Sequence, residues 1–359
     1  MTIKVGMIGA GVISEAHLEP FRNISEAEVA AITDPNKEAR EHLARKYNIR
    51  KNVPDYRQIL DDKEIELVYI CVPHYLHCRM AIEAFETGKH VVCEKPLALN
   101  AGEADRMIAA AEKSGSKFFI AENHRFFPEH IKARQMVKAG DIGRAFMCLS
   151  CFIGDETERM SDFNNWKGTQ DKSGGGVIID NGFHMIDTLR SFFGEVESVV
   201  AMGKRLVIEA ENKEEDTALV TLSFKSGVLV ELSLTFVARY NNFPPGYCGA
   251  GIRYDIYGTE GSLHLVNDKS RVISLVRGGE RQVFTARDVL DSLPAGVPTD
   301  MNRHFIDCLL NDSEPVVSVH ESRQVMCIID ACYESVRTGK KVTIFREQGN
   351  RQDEQDLTS

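Results

Sequence analysis

The sequence has no apolar stretch approaching the roughly 20 residues that a membrane-spanning helix needs. Its opening, Met1-Thr2-Ile3-Lys4-Val5-Gly6-Met7-Ile8, enters a strand pattern at once, without a long apolar segment leading to a small-residue cleavage site. A soluble, cytoplasmic protein with no membrane partner is therefore expected. Basic clusters are missing as well: no five Lys or Arg residues run together, and the formal net charge is −10. A duplex binder gains affinity from clustered cations that neutralise phosphates, so nucleic acid is not an expected partner. Paired cysteines are scarce. Of nine cysteines, only Cys148 and Cys151 have CxxC spacing. They fall in a strand-like run, 145–153, where residues three apart point to opposite faces, and no second pair completes a zinc site. Reduced, structural thiols are the expectation. Repeats and low-complexity segments are absent too.

The 359 residues leave room for two domains. Short apolar runs at 3–8, 29–33, 67–72, 90–93 and 118–121 alternate with segments of helical length at 37–47, 77–87 and 101–114. Continuous apolar strands separated by helices predict a parallel sheet covered on both faces. Gly88 and Gly115 stand where helix C-caps belong. After about residue 122 the pattern changes. A helix at 128–139 precedes a hairpin, 217–224 and 228–236, turned at Ser226-Gly227. Further strand-like runs lie at 253–257, 262–266 and 271–276, and helices at 299–310 and 320–338 close the chain. The charge run 211–216 reads as a hairpin loop, and 240–251 as a long loop that covers a site. The expected fold is an α/β Rossmann domain with a parallel sheet, residues 1–122. An α+β domain with a large, mainly antiparallel open sheet follows at 123–346, and a polar tail at 347–359.

The first strand ends in Gly9-Ala10-Gly11-Val12-Ile13-Ser14, and a helix follows. The first glycine makes the tight turn and the second lets backbone approach a pyrophosphate, which the helix N-terminus then favours. Ser14 replaces the third glycine. Asp34 ends the second strand-like run, 25 residues after Gly9. A carboxylate there accepts hydrogen bonds from ribose hydroxyls and repels a 2′-phosphate, which favours NAD over NADP. The alternative is a helix cap, since Asp34-Pro35 precedes a helix; Arg40 or Lys37 beside it keeps NADP open.

Three further motifs follow. They are Gly88-Lys89-His90-Val91-Val92-Cys93-Glu94-Lys95-Pro96, then Ser173-Gly174-Gly175-Gly176 through Asp180, His184 and Asp187, and then Tyr257-Gly258-Thr259-Glu260-Gly261-Ser262-Leu263. In this order, together with the glycine loop, they resemble the glucose–fructose oxidoreductase/inositol dehydrogenase (Gfo/Idh/MocA) family over residues 3–342. The resemblance implies a nicotinamide between the two domains and a homodimer or homotetramer assembled through the open sheet. It further implies oxidation of a secondary alcohol of a sugar or cyclic polyol, or the reverse reduction.

Hydride transfer needs a base for the hydroxyl proton and a donor for the developing oxyanion. His184 suits the base. Lys95 follows the fourth strand at the carboxyl edge of the parallel sheet and suits the donor. Asp180 is expected just before or at the start of a helix spanning 182–193, where it binds substrate hydroxyls and orients His184. The family's Lys of Glu-Lys-Pro and its Asp and His of DxxxH match these three. Expected on the cofactor side are Gly9, Gly11, Val12, Ile13, Asp34, Val72, His74, His77, Glu94, Lys95 and Asn123. His74 stands where the family usually has Asn. Lys95, Arg125, Trp166, Asp180 and His184 are expected around the substrate, with Lys167 in place of the family's Arg after Trp166. A metal on Asp180, His184 and Asp187, at i, i+4 and i+7, is the weaker reading, because nicotinamide chemistry with a lysine needs none; no metal is expected. Two other functions share the scaffold. One is an NAD-retaining glycosidase or lyase that oxidises its substrate transiently. The other is a non-catalytic NAD sensor, which would be expected to lack part of the Lys–Asp–His set.

Overall fold

The computed structural model describes residues 2–162, 165–208, 215–238, 251–267, 272–294 and 296–344. All but the last residue of the expected loop 240–251, the tail from 347 and most of the charge run 211–216 lie outside the described residues.

The first part of the chain runs β1 (Ile3–Ile8), α1 (Val12–Phe21), β2 (Ala27–Thr33), α2 (Lys37–Lys46), β3 (Lys51–Val53), α3 (Arg57–Leu60), β4 (Leu67–Ile70), α4 (His77–Glu86), β5 (His90–Glu94), α5 (Ala101–Ser114) and β6 (Phe118–Ala121). Its six strands are parallel, in the order β3-β2-β1-β4-β5-β6. Every residue of β4 and β6 is buried, because helices cover both faces; that is why these strands read as unbroken apolar runs. The direction of sheet growth reverses between β1 and β4, which leaves a crevice at their carboxyl ends. β3, only three residues long and without a buried residue, gave no periodic signal.

The second part runs α6 (Pro128–Ala139), β7 (Ala145–Ile153), α7 (Thr157–Met160), α8 (Gln170–Ser173), α9 (Val177–Phe193), β8 (Val196–Lys204), β9 (Thr217–Phe224), β10 (Leu229–Thr235), β11 (Gly251–Gly258), β12 (Gly261–Asn267), β13 (Val272–Arg277), β14 (Glu280–Phe284), α10 (Ala286–Ser292), α11 (Met301–Leu310), α12 (Val319–Thr338) and β15 (Val342–Thr343). These nine strands form one sheet, β14-β13-β12-β11-β7-β10-β9-β8-β15. It is mixed: β7 pairs with β10 in parallel, and the other neighbours are antiparallel. The β9–β10 hairpin turns where expected, with Gly227 donating its N–H to the Phe224 carbonyl at 2.9 Å. Alternate residues Ala218, Val220, Leu222 and Phe224 point inward, where α9 packs, and α12 lies across β8. Cys148 is buried and Cys151 half-buried on the other face of β7, so the CxxC pair is split as its strand setting requires.

The helix carrying Asp180 and His184 begins at Val177, five residues earlier than expected. Its start is set from a distance. The carboxylate of Glu215 accepts from Ile178 N at 2.9 Å, and the Glu215 carbonyl accepts from Val177 N at 3.1 Å. A Cβ on Gly176 would stand 1.9 Å from that carbonyl oxygen, so only glycine admits the approach. Among the described residues, no helix is long and apolar enough to cross a membrane.

Candidate active site

β1 delivers the glycine loop into the crevice. Gly9 has φ +109°, and a Cβ there would lie 2.1 Å from the Cys71 carbonyl oxygen at the end of β4. Gly11 is the N-cap of α1 and supplies no side-chain cap, while a Cβ there would meet nothing within 4 Å. The protein itself does not require glycine at 11. The open space over the uncapped helix start fits a dinucleotide's pyrophosphate. Val12 (91% exposed) and Ile13 (44%) are large apolar residues left uncovered beside this loop. Asp34, at the end of β2, binds the loop directly. It accepts from Ala10 N at 2.8 Å and from Asn36 N at 2.7 Å. Asn36, not Asp34, caps α2, so the capping alternative for Asp34 is corrected; its carboxylate instead ties the phosphate loop to the second strand. Arg40 donates to the Asp34 carbonyl at 3.3 Å.

β5 delivers Lys95, whose bond to Pro96 is cis. Its ammonium lies 2.9 Å from Asp180 Oδ1 and 3.2 Å from the Asp180 carbonyl. The other carboxylate oxygen of Asp180 accepts from Lys167, which stands in a short turn, Trp166–Gly168. Burial opposes ionisation of Asp180, yet Lys167 and Lys95 together hold its carboxyl well below the usual range. Burial also opposes the Lys95 charge, but Asp180, with help from Glu94 and Glu122, raises its pKa above the ordinary lysine value. Lys95 is therefore an ammonium donor, not a base.

One turn beyond Asp180, His184 Nδ1 lies 2.8 and 2.7 Å from the two carboxylate oxygens of Glu122. The sequence had given the orientation of His184 to Asp180; the carboxylate in contact with it is Glu122, because Asp180 is occupied by the two lysines. The ring of His124 stacks on His184, with centroids 4.2 Å apart and planes 11° apart. Burial pushes His124 well below the ordinary histidine value. Glu122, His124 and His184 present ligand atoms within 4.8 Å of one another. Metals bind imidazole nitrogens in the ring plane, and one ion cannot lie in the planes of both stacked rings, so this set suits proton handling better than metal binding. Asp187, part of the weaker metal reading, is turned to Arg125.

The remaining expected residues divide. His74 is buried, with Nδ1 2.8 Å from the Ser173 carbonyl and its ring edge-on to Trp166 at 4.5 Å. Burial keeps it well below the ordinary histidine value, hence neutral. Val72 offers its carbonyl to His77 Nε2 at 2.9 Å, and His77 Nδ1 meets the Pro96 carbonyl at 2.9 Å. His77 is thus buried with a carbonyl oxygen against each ring nitrogen, one of which a neutral ring donates to, and it sits between two loops instead of facing a cofactor. Glu94 is nearly buried, with one oxygen 2.6 Å from His17 Nε2 and the other accepting from Lys95 N at 3.0 Å, which leaves it turned inward from a ribose. Asn123 is half-buried and opens the turn after β6. Arg125, expected around the substrate, has its guanidinium forked onto Asp187, with Nη2 3.0 Å from Oδ1 and both groups buried.

The sequence matches the oxidoreductase family's NAD-binding Rossmann fold over residues 3–122 and its C-terminal alpha/beta domain over residues 134–344. The chain belongs to the Gfo/Idh/MocA oxidoreductase family. It is 27% identical over 350 residues to myo-inositol 2-dehydrogenase of Thermotoga maritima, covering 95% of this chain and 98% of that protein. It is 30% identical over 274 residues to 2,7-anhydro-N-acetylneuraminate hydratase of Escherichia coli, covering 73% and 70%. In fold it is similar to levoglucosan dehydrogenase in complex with NADH and levoglucosan, with TM-score 0.86, 24% identity, and coverage of 96% of this chain and all of that one.

Within this Gfo/Idh/MocA chain, sequence reasoning missed Glu122, His124 and the role of Lys167. One signal was present: a carboxylate directly after the all-apolar β6, at the carboxyl edge of a parallel sheet, where ligand-facing groups collect. Two outcomes test the site. Gly11→Ala should leave the thermal midpoint within about 2 °C of wild type, since its Cβ meets no protein atom, while NAD affinity measured by nucleotide fluorescence falls about tenfold or more. Unchanged affinity would remove Gly11 from the cradle. Asp187→Ala should cost about 3–5 kcal/mol in denaturant unfolding, because it strands a buried guanidinium.

Proposed function

We propose that this protein is an NAD-dependent dehydrogenase or reductase acting on a secondary alcohol of a sugar or cyclic polyol. The observation that carries the reading is the meeting of Lys95 from the first sheet with Asp180 on α9, one turn from His184. Gly9, Gly11, Val12, Ile13 and Asp34 would hold the dinucleotide, and Asp34 favours NAD. The bound nicotinamide supplies the hydride acceptor, or the donor in reduction. Lys95 donates a hydrogen bond to the reacting oxygen and stabilises its developing negative charge. His184 takes the hydroxyl proton. Asp180 keeps Lys95 protonated and aimed, and Trp166 with His74 would wall the substrate side. The family, and relatives named as inositol and levoglucosan dehydrogenases, support this reading. In this reading residues 1–122 hold the cofactor and contribute Lys95 to the substrate, which residues 123–346 otherwise bind.

One observation favours a second reading: the similarity to a protein named a hydratase, a reaction without net redox change. The same lysine, aspartate and histidine would then act around a transiently oxidised substrate.

The outer face of the large sheet supports a homodimer or homotetramer. Rows across it place Met202 beside Leu219 and Val200 in line with Leu149, with Leu229 beside Met147, and all six are exposed apolar residues.

A panel of sugars, inositols and sugar acids with NAD and NADP, followed at the nicotinamide absorbance, tests the activity. Lys95→Met should abolish hydride transfer and keep NAD affinity within about tenfold, because it removes the oxyanion donor and leaves the glycine loop intact. Wild-type turnover in that variant would exclude Lys95 from the chemistry, and product formation without absorbance change in the native protein would favour the second reading. Leu149→Lys with Leu219→Lys should give a monomer by sedimentation; an unchanged assembly would move the interface elsewhere.

A further inference from the structure

Glu122 has no solvent exposure, and it directly follows an apolar strand. A buried carboxylate is costly unless charged or strongly donating groups compensate it. Its side-chain partner among the described residues is His184 Nδ1, at 2.8 and 2.7 Å, and Oε1 also accepts the His124 N–H at 3.0 Å. Both carboxylate oxygens face Nδ1, and carboxylate oxygens serve as acceptors for a ring N–H. Nε2 of His184 makes no hydrogen bond among the described residues, and the side chain retains 11% exposure. His124 lies flat against the ring and restricts its turning. The charged and titratable groups around this pair come from several elements. They are Lys95 after β5, Asp180 and Asp187 on the same helix, His124 and Arg125 in the turn after β6, His130 on α6 and Tyr254 on β11.

We infer that Glu122 is the positioning residue of the reaction: it fixes His184 in the Nδ1–H tautomer and so makes Nε2 the atom that takes the substrate's hydroxyl proton. The use of Nε2 rests on the proposed function, whereas the tautomer does not. A histidine with the opposite tautomer presents an N–H to the substrate oxygen and cannot accept its proton. The logic is that of a carboxylate–histidine pair in which the acid holds the tautomer and orientation of the ring.

The test uses the full-length protein saturated with NAD, with 15N-labelled histidine. In wild type, the His184 signal, assigned by its loss in His184→Ala, should show a protonated Nδ1 and a bare Nε2. In Glu122→Gln, whose amide can donate to Nδ1, the population should move toward Nε2–H. For an oxidised substrate found in the panel, Glu122→Gln should lower kcat on the order of 10²–10⁴-fold. NAD affinity should stay within about threefold, and Glu122→Asp, which keeps the carboxylate, should recover about tenfold or more over Gln. A wild-type spectrum with Nε2 protonated and Nδ1 bare would overturn the inference, as would a kcat in Glu122→Gln within about threefold of wild type. If Glu122→Gln does not fold, the wild-type spectrum still decides the tautomer. If no alcohol is oxidised, the proposed function fails while the tautomer is read independently.

Discussion

The carboxylate of Asp180 is shared by two ammonium groups that reach it from different parts of the chain. Each of the three charges would be costly alone in a buried position, and together they compensate one another. The consequence is geometric as well as electrostatic. Lys95 leaves the end of β5, Lys167 stands in the turn before α8, and Asp180 sits in the first turn of α9, so one clasp joins the parallel sheet to the helix that the large sheet supports. Because Asp180 keeps Lys95 charged, the ammonium is available as a donor and unavailable as a proton acceptor. The acceptor must then be a different group held by a different acid. The structure meets that need with a second carboxylate, Glu122, on His184. Two acid–base pairs with separate partners divide the labour that a single pair would confuse.

Much of this was legible in the sequence where local chemistry decides the outcome. The parallel strands showed as unbroken apolar runs because both faces of the sheet are covered, and α5 and α6 fell on their expected limits because Asn100 and Pro128 start them and Gly115 and Gly140 stop them. Lys95, Asp180 and His184 stood out through motifs. What stayed hidden depends on partners remote in sequence. α9 starts at Val177 because Glu215, 38 positions on, caps it, and nothing in Val177-Ile178-Ile179 announces a helix. Arg125 read as a pocket residue, yet its ion-pair partner, Asp187, is 62 residues away in sequence. His77 was expected on the cofactor side, but only the fold shows that its ring lies between two carbonyls. The sequence carries residue types, and burial decides which of them face a ligand.

The lysine is also braced from behind. Glu94 accepts from the Lys95 backbone N–H with one oxygen and meets His17 of α1 with the other. His17 Nδ1 in turn lies 3.1 Å from Asn302 Oδ1 on α11, which also accepts from Tyr69 of β4 at 3.0 Å. Burial by itself would raise the Glu94 carboxyl, but His17 and Lys95 bring it below the usual range, so it remains an acceptor in this chain of contacts. α11 belongs in sequence to the second part of the molecule, and α12 packs on α5 of the first. The strand end that presents Lys95 is therefore held by His17 of the phosphate-loop helix, and His17 is in turn held by Asn302 on a helix returning from the far end of the chain. An ammonium that must meet a substrate oxygen to within a few tenths of an ångström needs such bracing, since a loosely held donor loses the advantage of preorganisation.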